Sequence, residues 1–267
     1  MFSNRQTGWM KTVFVFSGIL VVFFISIHIV GVFVKPFFMD SRVFLDSFKD
    51  TETWGAVGTS LSAALFSVLI GLLFGVPTAY LLDREDFPGK KVVEGIIDLP
   101  MAIPHTVAGI ALLIVLGSGG FIGEHIEPLL QFSRSFFGIV AAMTLISIPF
   151  MINSAKEGFQ SVDPRMGKIA RTLGASEWRI FFRVELPLAT PQIFNGAIMS
   201  WARAISEFSA VVILVTFYPM IAPGLIWSRL YSEGLAQSLA VAVVLLAVIL
   251  PIFVLLRQVR ERLFFKY

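Results

Sequence analysis

Unbroken apolar runs set the strongest limit on what this chain can become. Residues 13–34, VFVFSGILVVFFISIHIVGVFV, hold no Asp, Glu, Lys or Arg, and comparable blocks recur along the sequence. A helix rising 1.5 Å per residue needs about 20 such residues to cross roughly 30 Å of hydrocarbon. A membrane β-barrel would instead show many short segments alternating polar and apolar residues, and these blocks do not alternate. With 56% hydrophobic and 15% charged residues, the chain has too few polar groups to enclose its apolar ones in a water-facing shell. The sequence therefore predicts an all-α membrane protein forming a single domain over residues 1–267.

Hydrophobic blocks between charged breaks predict six spans, at 12–34, 57–82, 92–117, 136–157, 190–216 and 235–257. The third contains Pro100 and Pro104, which remove backbone donors, so it is expected to be kinked or broken there. The first block is longer than the apolar core of a secretion signal and no small-residue cleavage pattern follows it, so it reads as a retained helix. Charge counting orients the set, because cytoplasmic connections hold more Lys and Arg than translocated ones. With both termini inside, fifteen of the 21 Lys and Arg residues are cytoplasmic and five are external, while Arg203 lies within a span. The net charge of +3 then reflects orientation in a membrane, and no nucleic-acid partner is implied.

Several kinds of chemistry are disfavoured. Cysteine is absent, which removes disulfides, thiolate metal sites and a Cys nucleophile. His28, His105 and His125 have no metal-ligand spacing and read as packed or interfacial side chains. No catalytic set converges, so no enzyme is expected. The stretch Pro88-Gly89-Lys90-Lys91 lacks the upstream Gly and the hydroxyl of a phosphate-binding loop, so the chain has no nucleotide site of its own.

Between the fourth and fifth blocks lies a polar island at 156–187, KEGFQSVDPRMGKIARTLGASEWRIFFRVELP, with six of the Lys and Arg residues. Asp163 followed by Pro164 is a helix start, and the helix from Arg165 to Leu173 should end at Gly174. A second short helix should begin at Ser176, carry Trp178 and Arg179, and end where Pro187 turns the chain back into the membrane. Two short helices joined at a Gly make a protruding knob. An amphipathic helix resting on lipid headgroups is the competing reading.

From Ala170, the run Arg171-Thr172-Leu173-Gly174-Ala175-Ser176 and, with nine residues between it and the Gly, Val184-Glu185-Leu186-Pro187 resemble the cytoplasmic EAA loop of ABC importer permeases. Lys168 and Ile169 stand where that family usually has Glu and its first Ala. The resemblance implies a coupling loop over about 158–187, with a short helix near 172–182 seated in a groove on a separate ATP-hydrolysing subunit. ATP and Mg would then be bound by that partner, and this chain would bind no cofactor or metal.

The fifth block contains Trp201-Ala202-Arg203-Ala204-Ile205-Ser206-Glu207-Phe208-Ser209, with Arg203 and Glu207 four residues apart on one helical face. Charge inside a span costs at least roughly 2.5 to 3.5 kcal/mol, so the two should pair or line a wet cavity. They could line the route or gate, or form a structural pair, and the sequence leaves both open. The same run, with Leu99-Pro100, Pro104 and Gly109, resembles the oxyanion branch of these permeases, the molybdate, tungstate and sulfate importers. Hydroxyls at Ser60, Ser62, Thr106, Ser206 and Ser209 would suit a weakly held anion, although small polar residues also mediate helix packing. The resemblance implies a homodimer working by alternating access in the cytoplasmic (inner) membrane, two ATPase subunits and an extracytoplasmic oxyanion-binding protein. The absence of an internal duplication also favours two copies. A sulfate/thiosulfate permease and an ATP-independent secondary transporter or channel are the alternatives.

Overall fold

A computed structural model describes residues 3–39 and 41–264. Lys266 and the Arg5 side chain, both counted above among the inner cations, lie outside what is described. The helices are α1 Ser3–Met39, α2 Ser41–Ser47, α3 Thr51–Ile70, α4 Val76–Arg84, α5 Lys90–Ala102, α6 His105–Leu116, α7 Gly123–Ile126, α8 Phe136–Gln160, α9 Pro164–Thr172, α10 Glu177–Ile180, α11 Leu186–Ile205, α12 Ser209–Val215, α13 Ala222–Ser232 and α14 Leu235–Phe264. No strand occurs among the described residues.

Among the described residues, four stretches are long and apolar enough to cross a membrane unbroken: Trp9–Pro36, Thr51–Arg84, Phe136–Gln160 and Leu235–Phe264. The third and fifth expected spans are bent pairs. Between α5 and α6 the axis turns by 114°, and between Glu177–Ile205 and α12 by 59°. The first break falls at Ile103-Pro104, as the prolines predict. The second corrects the expectation of one helix over 190–216 and has a side-chain cause, given below.

Two π-helical turns, Gly71–Gly75 and Phe181–Glu185, each lead into a helix with proline in its first turn, Pro77 and Pro187. Proline cannot donate to the carbonyl four residues back and crowds it, and an inserted residue in the ladder relieves that conflict without ending the helix. Pro187 is therefore no turn: helix runs on from Glu177 to Ile205.

The middle of the bundle is α8, which packs against α3, α4, α11 and α12. Its Ile139, Ala142, Met143, Met151, Ala155 and Phe159 are fully buried. Lipid tails are as apolar as leucine, so close packing of small residues and interhelical hydrogen bonds hold such bundles. Both appear here. The hydroxyls of Ser67 and Ser147 meet at 2.9 Å, and Ser200 and Ser154 donate to the carbonyls of Ser147 and Gln192 at 3.1 and 2.8 Å. By contrast, α5 buries no side chain and is tied to α8 by polar contacts, Lys156 to Glu94 and Asn153 Nδ2 to Asp98 Oδ1 at 2.8 Å.

The bundle's two ends are distinct. At one, Arg229 Nη2 donates to Asp50 at 2.5 Å and Glu52 at 2.9 Å, joining two connections that charge counting assigns to the same side. At the other, beyond the far end of the Thr51–Arg84 stretch, Arg84 meets the Phe159 carbonyl at 3.3 Å and Glu185 at 3.2 Å.

Candidate functional site

The knob is built by local rules that the sequence displays. Asp163 accepts the Arg165 amide at 2.9 Å and starts α9. At its end Gly174 adopts φ +81°, and two backbone bonds close the turn: Gly174 N–H to Arg171 O and Ala175 N–H to Ala170 O, both 3.0 Å. That pair of bonds around a left-handed glycine satisfies carbonyls that the helix would leave open. Ser176 caps α10 by accepting the Arg179 amide at 3.4 Å, and Arg171 pairs with Glu177 at 3.1 Å across the turn. The expected helix near 172–182 thus begins only at Glu177 and runs on into the bundle, with residues 173–176 as the turn that joins it to α9.

The knob's surface is unlike that of a solvated loop. Leu173 is 82% exposed and Trp178 is 74% exposed, the latter stacked on Phe182 with centroids 5.8 Å apart. Its base, however, is fixed. Ile180 and Glu185 are buried, Arg84 pairs with Glu185 and with Asp83 at 3.0 Å, and Tyr80 lies edge-on to Phe159 and Phe181. Leu186 is half-buried and Pro187 exposed where the helix enters the bundle. A rigid stalk with apolar groups at its tip is what a groove on another subunit requires.

The second site lies where the two bent spans break. Arg203 in the last turn of α11, Glu207 in the break and His105 at the start of α6 converge. Glu207 is 1% exposed, and its Oε1 accepts the Ala210 amide at 2.9 Å. This side-chain bond takes over an amide of the following turn, and α12 sets off in a new direction from it. Glu207 Oε2 accepts from Arg203 Nη2 at 2.9 Å and lies 2.7 Å from His105 Nδ1. Arg203 Nη2 also lies 2.8 Å from His105 Nε2. The same Nη2 lies 2.5 Å from His105 Nδ1, so the guanidinium faces both ring nitrogens while Nδ1 also meets Glu207. The reading of His105 as a bland packed residue is therefore corrected: it is the third member of an ionic cluster. Its sequence signal was its position directly after the proline that breaks the span.

Beside the cluster, Ser206 Oγ accepts from Arg203 Nη1 at 3.0 Å and donates to the Arg203 carbonyl at 2.9 Å. Thr106 is exposed next to His105, and Ser209 is half-buried at the start of α12. Ser60 is not part of this group; fully buried, it accepts the Ala222 amide at 2.8 Å and fastens α3 to α13. Ser62 donates to the Gly58 carbonyl of its own helix at 2.7 Å. The helices carrying the cluster touch at Gly109, where an added Cβ would lie 2.9 Å from the Ala210 Cα.

The described residues thus form a helical membrane bundle with two interrupted spans and a fixed, apolar-tipped knob at one end. The model of the family described as "Binding-protein-dependent transport system inner membrane component" matches residues 67–265, and the chain belongs to that family. The molybdate/tungstate transport system permease protein WtpB of Thermococcus kodakarensis is 41% identical over 248 residues, covering 92% of this chain and 95% of that protein. The molybdenum transport system permease protein ModB of Escherichia coli K12 is 38% identical over 168 residues, covering 62% and 73%. Among solved structures, a bacterial ABC transporter involved in importing the acidic polysaccharide alginate has a chain with TM-score 0.76 at 18% identity, covering 98% of this chain and 99% of its own; it shares the fold.

Proposed function

We propose that this chain is the permease subunit of an ATP-driven importer of molybdate and tungstate. Two copies form the pathway, an extracytoplasmic binding protein delivers the oxyanion, and each knob engages a separate ATPase subunit that holds ATP and Mg. The single observation that carries this reading is the knob itself, a capped helix pair with Leu173 and Trp178 outward and a buried ionic base. The threefold excess of Lys and Arg on its side of the membrane supports a cytoplasmic position for the knob and both termini. The choice of anion follows the 41% identical relative.

Reconstitution in proteoliposomes with the cognate ATPase and binding protein tests it. Tungstate and molybdate should accumulate only with ATP and the binding protein, and ahead of sulfate. Uptake by the isolated chain without ATP, or a preference for sulfate, overturns the assignment.

A further inference from the structure

We propose that Arg203 and His105 form a transient seat for the travelling oxyanion, with Glu207 as a resident carboxylate that the oxyanion displaces. This rests on the importer reading above. Three observations support it. The donors stand in front of the carboxylate: side-chain exposure is 35% for His105 and 20% for Arg203, against 1% for Glu207. An arriving anion meets the two donors without passing the buried acid. The two oxygens of Glu207 are also used differently. Oε1 is held by the Ala210 amide, whereas Oε2 alone takes both Arg203 and His105. Releasing one oxygen frees both donors and leaves Glu207 anchored to the backbone.

Finally, the acceptor chemistry matches. A tetrahedral oxyanion offers the same negatively charged oxygens as a carboxylate, and a guanidinium binds either in its planar fork. Ser206 Oγ, already 3.0 Å from Arg203 Nη1, brings a hydroxyl to the same place, and Thr106, next in sequence to His105, is exposed. Exchange with an internal anion keeps the site weak. A bare Arg inside a membrane would trap a dianion, while conduction requires binding loose enough to release. Both spans break at this point, as membrane helices do where freed backbone is buried in protein or lines a water-filled cavity.

The test uses the chain's lack of cysteine. In the reconstituted complex, Thr106→Cys supplies one thiol beside the seat, and its rate of modification by a small thiol reagent is followed with and without sodium tungstate. Tungstate should slow modification several-fold, chloride at equal ionic strength should not, and adding Arg203→Gln should abolish the protection. Adding Glu207→Gln removes the competing charge and should lower the half-protecting tungstate concentration by roughly tenfold, the effect of one charge-assisted hydrogen bond. A thiol that never reacts, protection that survives Arg203→Gln, or an unshifted midpoint in Glu207→Gln overturns the seat. If Glu207→Gln does not assemble, the Arg203→Gln comparison still decides. Uptake by the wild-type complex, measured alongside, separates the claims: tungstate uptake without protection removes the seat alone, and no tungstate uptake removes the importer reading as well.

Discussion

Asp50 does three jobs with one carboxylate. It caps α3 by accepting the Glu52 and Thr53 amides at 3.1 and 3.2 Å, accepts the Thr53 hydroxyl at 2.6 Å, and receives Arg229 at 2.5 Å. Burial works to raise its pKa, but the bonds from Thr53, Arg229 and the Glu52 amide outweigh it and hold the group below the usual carboxylate range. A depressed folded-state pKa means that the added stability is complete above the unfolded value, about 3.9, and is lost as pH falls through the folded one. Asp50→Asn removes the charge and turns one of two occupied acceptor oxygens into an NH2 donor, which faces either the Glu52 amide or Thr53 and Arg229. It should cost roughly 1 to 3 kcal/mol at pH 7, since Arg229 is buried and one of its acceptors is lost, and the gap to wild type should shrink below about pH 4. Thermal unfolding in detergent at the two pH values checks this; equal gaps at both would show that the carboxylate's charge contributes nothing. The residue scale also shows where sequence reading stops. Arg203 and Glu207 are legible as partners because four residues bring them onto one helical face, whereas His105 lies 98 positions from Arg203 and no periodicity connects them.

At the scale of elements, the legible features are those written in short-range chemistry. Asp163-Pro164, Gly174 and Ser176 each mark a helix end that the structure contains, because capping depends on the next few residues only. The break at 206–208 is hidden: Ser206, Glu207 and Phe208 include no Gly or Pro to mark it, and it depends on one buried side chain taking the Ala210 amide. Pro187 misleads for the related reason that a π turn absorbs it. Gly174 provides the cleanest test of the knob as an element. A Cβ there would meet nothing within 4 Å, so any effect of substitution comes from φ +81° alone. A β-branched residue should pay about 1 to 2 kcal/mol locally, while Asn tolerates this conformation. Gly174→Val should insert normally yet lose most binding-protein-stimulated ATPase activity in the reconstituted complex, and Gly174→Asn should retain most of it. Equal activity of the two variants would separate the knob's turn from coupling.

For the whole molecule, motion at the knob has to reach the broken spans, and the route available is the buried joint at its base. Arg84 on α4 meets Glu185 at 3.2 Å and the Phe159 carbonyl of α8 at 3.3 Å, so the knob's stalk, the second membrane stretch and the central helix share one ionic node. From Glu185 the helix continues without a break to Ile205, two residues before Glu207. If a partner moves the knob, a displacement at Trp178 has one continuous helix to travel along to the cluster, with Arg84 as its bearing. Removing one member of a buried pair leaves the other charge uncompensated, at a cost of roughly 3 to 5 kcal/mol, whereas replacing both with apolar residues of similar size is often neutral. Glu185→Gln should therefore lower the unfolding temperature markedly, and Arg84→Met/Glu185→Met should recover part of it, the remainder being the cost of leaving the largely buried Asp83 carboxylate without Arg84. If the node only stabilises, uptake will recover along with the unfolding temperature in the double variant. If it transmits, the double variant should be stable, still bind the ATPase through its intact tip, and move fewer anions per ATP. Measuring unfolding temperature, ATPase co-purification and the uptake-to-hydrolysis ratio on the same three proteins distinguishes these outcomes, and full coupling in the stable double variant would exclude Arg84 as the bearing.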